Sequence, residues 1–129
     1  MESWVGASAQ LELTVTDADT AQTVGSGDVP VLATPRVLAL AEAATVRALA
    51  RRLESGTTTV GTRVELSHRA PTPIGRTVLA TAKLAKVDGR RLTFDVTVSE
   101  GDAVVAEARV ERVLVDRSRF LATAFGTEP

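Results

Sequence analysis

Hydrophobic and polar positions along the chain repeat with two different periods. From Ala9 to Val15 they alternate, with Leu11, Leu13 and Val15 on one face and Gln10, Glu12 and Thr14 on the other. That is the two-residue period of a half-buried strand. Residues 1–8 are small and mixed, and are expected to fray or dock loosely. Thr16 to Asp28 is polar and contains Gly25-Ser26-Gly27-Asp28, which predicts an exposed loop. Val29-Pro30-Val31-Leu32 follows as a short apolar approach that lines a pocket or anchors the next element.

The period then changes. Thr34 to Leu53 predicts one helix, with Thr34 as N-cap, Pro35 at the first helical position, and Ala and Leu through the middle. Arg51 and Arg52 place positive charge near its C-terminal end, and Ser55-Gly56 stops it. From Val37 to Val46 this helix is apolar or small on every side, so burial nearly all round is expected. Glu42 is the one charged residue in that span. A carboxylate there costs free energy unless it is paired or protonated.

Alternation returns at Thr57 and runs to Arg69. Val60, Thr62, Val64, Leu66 and His68 share one face, and Gly61, Arg63, Glu65, Ser67 and Arg69 the other. Pro71-Thr72-Pro73-Ile74-Gly75 turns the chain. Thr77 to Val87 is a third strand, with Val78, Ala80, Ala82 and Leu84 on one face. Asp88-Gly89 signals a hairpin into Arg91–Ser99, where Leu92, Phe94, Val96 and Val98 alternate with polar residues. After the tight turn Glu100-Gly101-Asp102, Ala103 to Val115 carries Val104, Ala106, Ala108, Val110, Arg112 and Leu114 on one face. Arg112 therefore interrupts an apolar row unless a bulge shifts the register. Asp116 to Phe125 predicts a short closing helix capped by Asp116. The order is β-α-β-β-β-β, read as a single α+β domain over 1–129, with four strands in a meander wrapped round the long helix.

Composition narrows the function classes. A length of 129 residues, 44% of them apolar, suits one soluble domain with a real core. A net charge of -1 gives no sign of nucleic acid or an anionic membrane as the main partner. No signal-peptide pattern and no apolar run of the ~20 residues a bilayer needs are present, so a cytoplasmic protein is expected. One His and no Cys argue against a protein-built zinc site. Dinucleotide, Walker and GxSxG fingerprints are absent, so no cofactor is expected, and three Phe, one Trp and no Tyr are too few for a base-stacking platform.

Glu42, His68 and Arg112 are thus polar residues at positions where the local pattern asks for apolar ones, and such breaks mark candidate sites. With Thr34 they offer a carboxylate, an imidazole, a hydroxyl and a helix N-terminus for acid–base, nucleophilic and electrostatic work. Each has a plainer reading: Thr34 as a cap, Glu42 and Arg112 as a structural ion pair, His68 as a satisfied core residue.

In this order and at these spacings the chain resembles a hotdog-fold thioesterase, and most closely the fluoroacetyl-CoA thioesterase group. The resemblance spans about Leu32 to Val115. It rests on Ala33-Thr34 opening the helix, Glu42 in Leu-Ala-Glu-Ala-Ala-Thr-Val-Arg-Ala, Val60-Gly61-Thr62, and His68. The Pro71 to Gly75 turn, Val87-Asp88-Gly89-Arg90-Arg91-Leu92 and the Glu111-Arg112 pair complete it. It implies that Thr34, Glu42 and His68 are catalytic, and that Gly61 and Arg112 lie beside the acyl group. It further implies a homodimer, or a tetramer, binding acyl-CoA at the subunit interface. Thr34 would orient the Glu42 carboxylate. Fluoroacetyl-specific members carry a phenylalanine-bearing lid before the helix, whereas Ala21 to Leu32 has no aromatic residue. A short or medium acyl chain is therefore implied. The alternatives are a non-catalytic hotdog module that binds an acyl thioester or fatty acid, and an enoyl-CoA hydratase of the same fold. The hydratase ranks lower, because its carboxylate and histidine usually share one short segment.

Overall fold

The computed structural model describes residues 1–127. Its elements are β1 (Ser8–Thr14), α1 (Ala21–Val24), α2 (Thr34–Leu49), β2 (Thr57–His68), β3 (Thr77–Asp88), β4 (Arg91–Glu100), β5 (Ala103–Asp116) and α3 (Arg117–Phe125). All five strands form one antiparallel sheet in the order β1-β3-β4-β5-β2. The helix α2 lies across it and packs against every strand, most closely β1 and β3.

Alternation explains the core. Val78, Ala80, Ala82 and Leu84 of β3 and Leu92, Phe94, Val96 and Val98 of β4 are all buried. They meet Val37, Leu40, Ala41, Ala44 and Ala48 of α2. Alanines on both sides of this contact let helix and sheet approach closely, and the interior is filled by valines, leucines and Phe94. Asp116 caps α3 as expected, accepting from the Arg119 amide at 2.9 Å.

Several expectations need correction. Only β3, β4 and β5 form a meander, and β2 pairs with β5 at the far edge instead of with β3. The hairpin between β3 and β4 turns on Gly89-Arg90, with Asp88 still paired to Arg91. Gly89 alone has a positive φ there (59°), which puts glycine at the first turn position. The N-terminus is docked: Trp4 packs on the core, and the Gly6 amide and Ala7 carbonyl pair with Leu84 at 2.9 and 2.8 Å. Segment 16–28 is structured, with a 3-10 turn (Asp17–Asp19), α1, and a fully buried Thr20.

The long helix ends at Leu49, where Ala50 and Arg52 donate three residues back and tighten the last turn. It is not buried all round either: Ala39, Ala43 and Val46 are exposed along one stripe. Besides a shift between Leu84 and Lys86 in the β3–β4 ladder, two bulges change the register on β2 and β5. One, between Gly61 and Arg63, places Gly61 opposite Arg112 and turns Val60 and Thr62 out of the inward row. The other leaves Val105 between Ala106 and Val104, so Val105 is buried and Val104 is 41% exposed. No helix among the described residues is long and apolar enough to cross a membrane.

Candidate active site

The four polar residues singled out by the pattern form two pairs along α2. Ala33, not Thr34, is the N-cap residue, and it has no side chain to cap with. Thr34 occupies the first turn with its hydroxyl free for another partner. That partner is His68 Nδ1, 2.8 Å away, and not the Glu42 carboxylate. His68 reaches it because the β2 bulge restores Val64, Leu66 and His68 to the inward face, opposite Val110, Ala108 and Ala106.

Burial pulls the His68 pKa below 6.5, and the Ala70 backbone opposes this. The ring is therefore mainly neutral near pH 7. Its Nε2 is buried and makes no hydrogen bond among the described residues. Pro35 removes one orphan amide from the first turn. Arg36 and Val37 donate to the Ala33 carbonyl. The helix N-terminus opens on a cavity of about 330 Å³ lined by Ala33, Thr34 and His68 together with the 21–31 segment and the 69–71 loop.

Glu42 follows Thr34 by eight residues, about 12 Å of helix rise. Arg112 Nη1 donates to Glu42 Oε2 at 3.0 Å. The guanidinium is itself fixed from β2, with Nε donating to Thr59 Oγ1 at 2.9 Å and Nη2 to the Thr59 carbonyl at 3.0 Å. Burial lowers the Arg112 pKa, and Glu42, by charge and by hydrogen bond, pushes back. The ion is nonetheless retained, because arginine starts so far above neutral pH. Arg112 is 6% exposed while the Glu42 side chain is 32% exposed. The carboxylate is thus presented to solvent by a buried cation. Gly61 completes the pair by having no side chain: a Cβ there would lie 2.2 Å from Glu42 Oε2 and 3.4 Å from Arg112 Nη1.

The fold thus joins Glu42 with Arg112 and Thr34 with His68, and no direct hydrogen bond links the two pairs. Sequence reasoning missed Thr59, because the bulge reverses the parity on which its inward position depends. It also missed Thr45, whose buried hydroxyl donates to the Glu42 carbonyl at 2.6 Å. Asp19 escaped notice too, although it takes Arg36 Nε at 2.9 Å and both the amide and hydroxyl of Thr16, tying the segment before α2 to the helix.

A helix laid over a five-stranded antiparallel sheet, with carboxylate, imidazole and hydroxyl along its open edge, defines the hotdog-fold thioesterase class. A profile of the fluoroacetyl-CoA-specific thioesterases matches residues 15–118, and the chain belongs to that family. It is 39% identical over 92 residues to the fluoroacetyl-CoA thioesterase of Streptantibioticus cattleyicolor, a match covering 71% of this chain and 66%, just under two thirds, of that protein. The crystal structure of the fluoroacetyl-CoA thioesterase FlK superimposes with a TM-score of 0.87 at 32% identity, covering 97% of each chain. A thioesterase superfamily member from Thermus thermophilus gives a TM-score of 0.86 at 28% identity over 92% of this chain and 88% of that one.

Proposed function

We propose that the chain hydrolyses an acyl-CoA with a short or medium acyl chain to the free acid and CoA. The observation that carries this reading is the Glu42 carboxylate, held through Oε2 by Arg112 and part-exposed, on the same helix as the Thr34–His68 pair. With one oxygen engaged, Oε1 is the atom that attacks the thioester carbonyl or takes a proton from attacking water. Arg112 stabilises the carboxylate as a base or nucleophile. His68 and Thr34 polarise the carbonyl and protonate the departing CoA thiolate, with first-turn amides of α2 adding oxyanion stabilisation. Gly61 and Arg112 flank the acyl group.

We propose further that the working unit is a homodimer, alone or doubled into a tetramer, with acyl-CoA at the subunit interface. The outer edge of β2 is unpaired and the Ala39, Ala43 and Val46 stripe is exposed. A second copy laid across this edge would shield both and bring one protomer's Glu42 toward its partner's Thr34–His68 pair. The cytoplasm is the proposed location, because acyl-CoA is met there.

The test is free-thiol release across an acyl-CoA panel that includes fluoroacetyl-CoA, with Glu42→Ala and His68→Ala beside the wild type. Both variants should fold and lose turnover; full activity in either removes the mechanism. A second reading, a hotdog module that binds an acyl thioester without turnover, is favoured by one fact. The Glu42–Arg112–Thr59 network is complete as a structural ion pair. It predicts ligand-induced stabilisation with no thiol release.

A further inference from the structure

We infer that the cavity at the N-terminus of α2 is the acyl-chain site, and that it takes an uncharged aliphatic chain of about four to eight carbons in preference to a two-carbon acyl group. This rests on the hydrolase reading for the reacting end and adds the identity of the tail. The reacting end is fixed by Thr34 and His68, which form part of the wall. The rest of that wall comes from the 21–31 segment, held over the cavity by the Ala21 amide donating to the Val31 carbonyl at 2.9 Å, and by the Thr20–Leu32 bridge.

Size and chemistry both point to an aliphatic chain. The cleft is open to solvent along one side and has a volume of about 330 Å³, against roughly 30 Å³ for one water, which is close to the size of a methylene. A two-carbon acyl group therefore leaves most of the space unfilled, and a six-carbon chain fills about half to two thirds of it. The side chains Ala21, Val29, Val31 and Ala70 are small and aliphatic, and Gly27 adds none. No Phe, Tyr or Trp is among the lining residues, and the rings present are those of His68 and Pro71. At the rim, Arg69 is the one cation, and both its terminal nitrogens are taken by Glu107 at 3.2 and 3.1 Å. No free cation among the lining residues is left to meet a carboxylate at the far end of a dicarboxylic acyl group.

Two positions control the length. Val31 is half-buried in the wall, so a larger side chain there enters the cavity. At Gly27 the backbone is ordinary, and a Cβ would meet Ala21 Cβ at 3.3 Å, so a side chain fits only by taking space from the cavity. The experiment measures kcat/KM for acetyl-, butanoyl-, hexanoyl-, octanoyl- and succinyl-CoA in the wild type, Val31→Phe and Gly27→Val. Alongside it, melting shifts are recorded with acetate, hexanoate and octanoate. In the wild type kcat/KM should rise about fourfold per methylene up to hexanoyl, the burial gain of one CH₂. Succinyl-CoA should lie at least tenfold below butanoyl-CoA, the neutral acyl group with the same number of carbons. Each variant should lower the hexanoyl-to-acetyl ratio at least tenfold.

A wild-type profile that is flat or falls from acetyl, or a ratio unmoved by both variants, overturns the assignment. Absence of thiol release with every substrate overturns the hydrolase reading instead. In that case the melting shifts still decide the cavity: they should grow from acetate to octanoate in the wild type and not in the variants, and shifts independent of length reject it.

Discussion

Gly61→Ala isolates the contact on which the Glu42 geometry depends. The added Cβ would lie 2.2 Å from Glu42 Oε2 and 3.3 Å from its Cδ. Relief requires a displacement of roughly 1 Å, since atoms at contact stand above 3 Å apart. Backbone movement is disfavoured, because Gly61 is paired with Arg112 next to a bulge inside the β2–β5 ladder. The carboxylate is the far end of a flexible side chain, so it moves and the 3.0 Å bond from Arg112 Nη1 is lost or lengthened. A hydrogen bond to a charged group contributes about 1.5–3 kcal/mol. Glu42 is a third exposed, so water recovers part of that, and a net loss of about 1–2 kcal/mol is expected. For a domain of this size that lowers Tm by roughly 3–8 °C.

Activity should fall much further, because a misplacement of about 1 Å in a reacting group costs on the order of 100-fold. Thermal melts and thiol release measured together should show a modest stability loss beside a large rate loss. The double variant Gly61→Ala with Glu42→Ala removes the clashing atoms, so the stability penalty of the added methyl should largely vanish in that background. Wild-type turnover in Gly61→Ala, or the same penalty with and without the Glu42 carboxylate, would refute the reasoning.

Other perturbations test the remaining parts. Arg112→Met leaves Thr59 and Glu42 without their shared donor and should cost about 2–3 kcal/mol in urea unfolding, below the cost of stranding a fully buried charge because water reaches Glu42. Arg112→Lys should recover little of it, since one ammonium cannot reproduce a fork that spans Thr59 Oγ1, Thr59 O and Glu42. His68 has a depressed folded-state pKa, so below about 6.5 the unfolded chain binds its proton first and stability falls as pH drops through that window. Melts at pH 7.5 and pH 5 should show His68→Gln losing less Tm on acidification than the wild type. Thr34→Val removes the 2.8 Å bond to His68 Nδ1 and should lower kcat about 10- to 100-fold, whereas Thr34→Ser should retain most of it. Thr72 is fully buried with a hydroxyl that has no hydrogen-bond partner among the described residues. The isosteric Thr72→Val should raise stability by roughly 1 kcal/mol and leave thiol release unchanged.

The parts of this molecule legible in the sequence are those set by local period. Strand β4, and β3 as far as Leu84, alternate without interruption, so their inward residues follow from counting alone; past the register shift at Ala85 the residue that packs on the core is Val87. The cap at Asp116 and the helix around Glu42 follow from short-range chemistry. Non-local pairing is different. That β2 joins β5 across the sheet depends on burying α2 beneath all five strands, a condition no window of the sequence contains. The exposed stripe of Ala39, Ala43 and Val46 also looks like core in the sequence, because small apolar residues on a helix read the same whether the face is covered or open.

The bulge at Thr62 carries the most consequence for the site. Read by strict alternation, Gly61 and Thr59 point away from Arg112, and the glycine has no visible purpose. With one extra residue in β2 both turn inward. The glycine then becomes the gap that admits a carboxylate, and the threonine the clamp that holds its cation. The polar residues of the two pairs were visible as breaks in a hydrophobic pattern, but who partners whom was not. Thr34 belonged by sequence to the helix backbone, and the fold gives its hydroxyl to His68 because Ala33 takes over as the cap residue. A single register shift and a one-residue change of cap thus decide the chemistry of the edge, which is why substitutions at Gly61 and Thr34 are the sharpest probes of it.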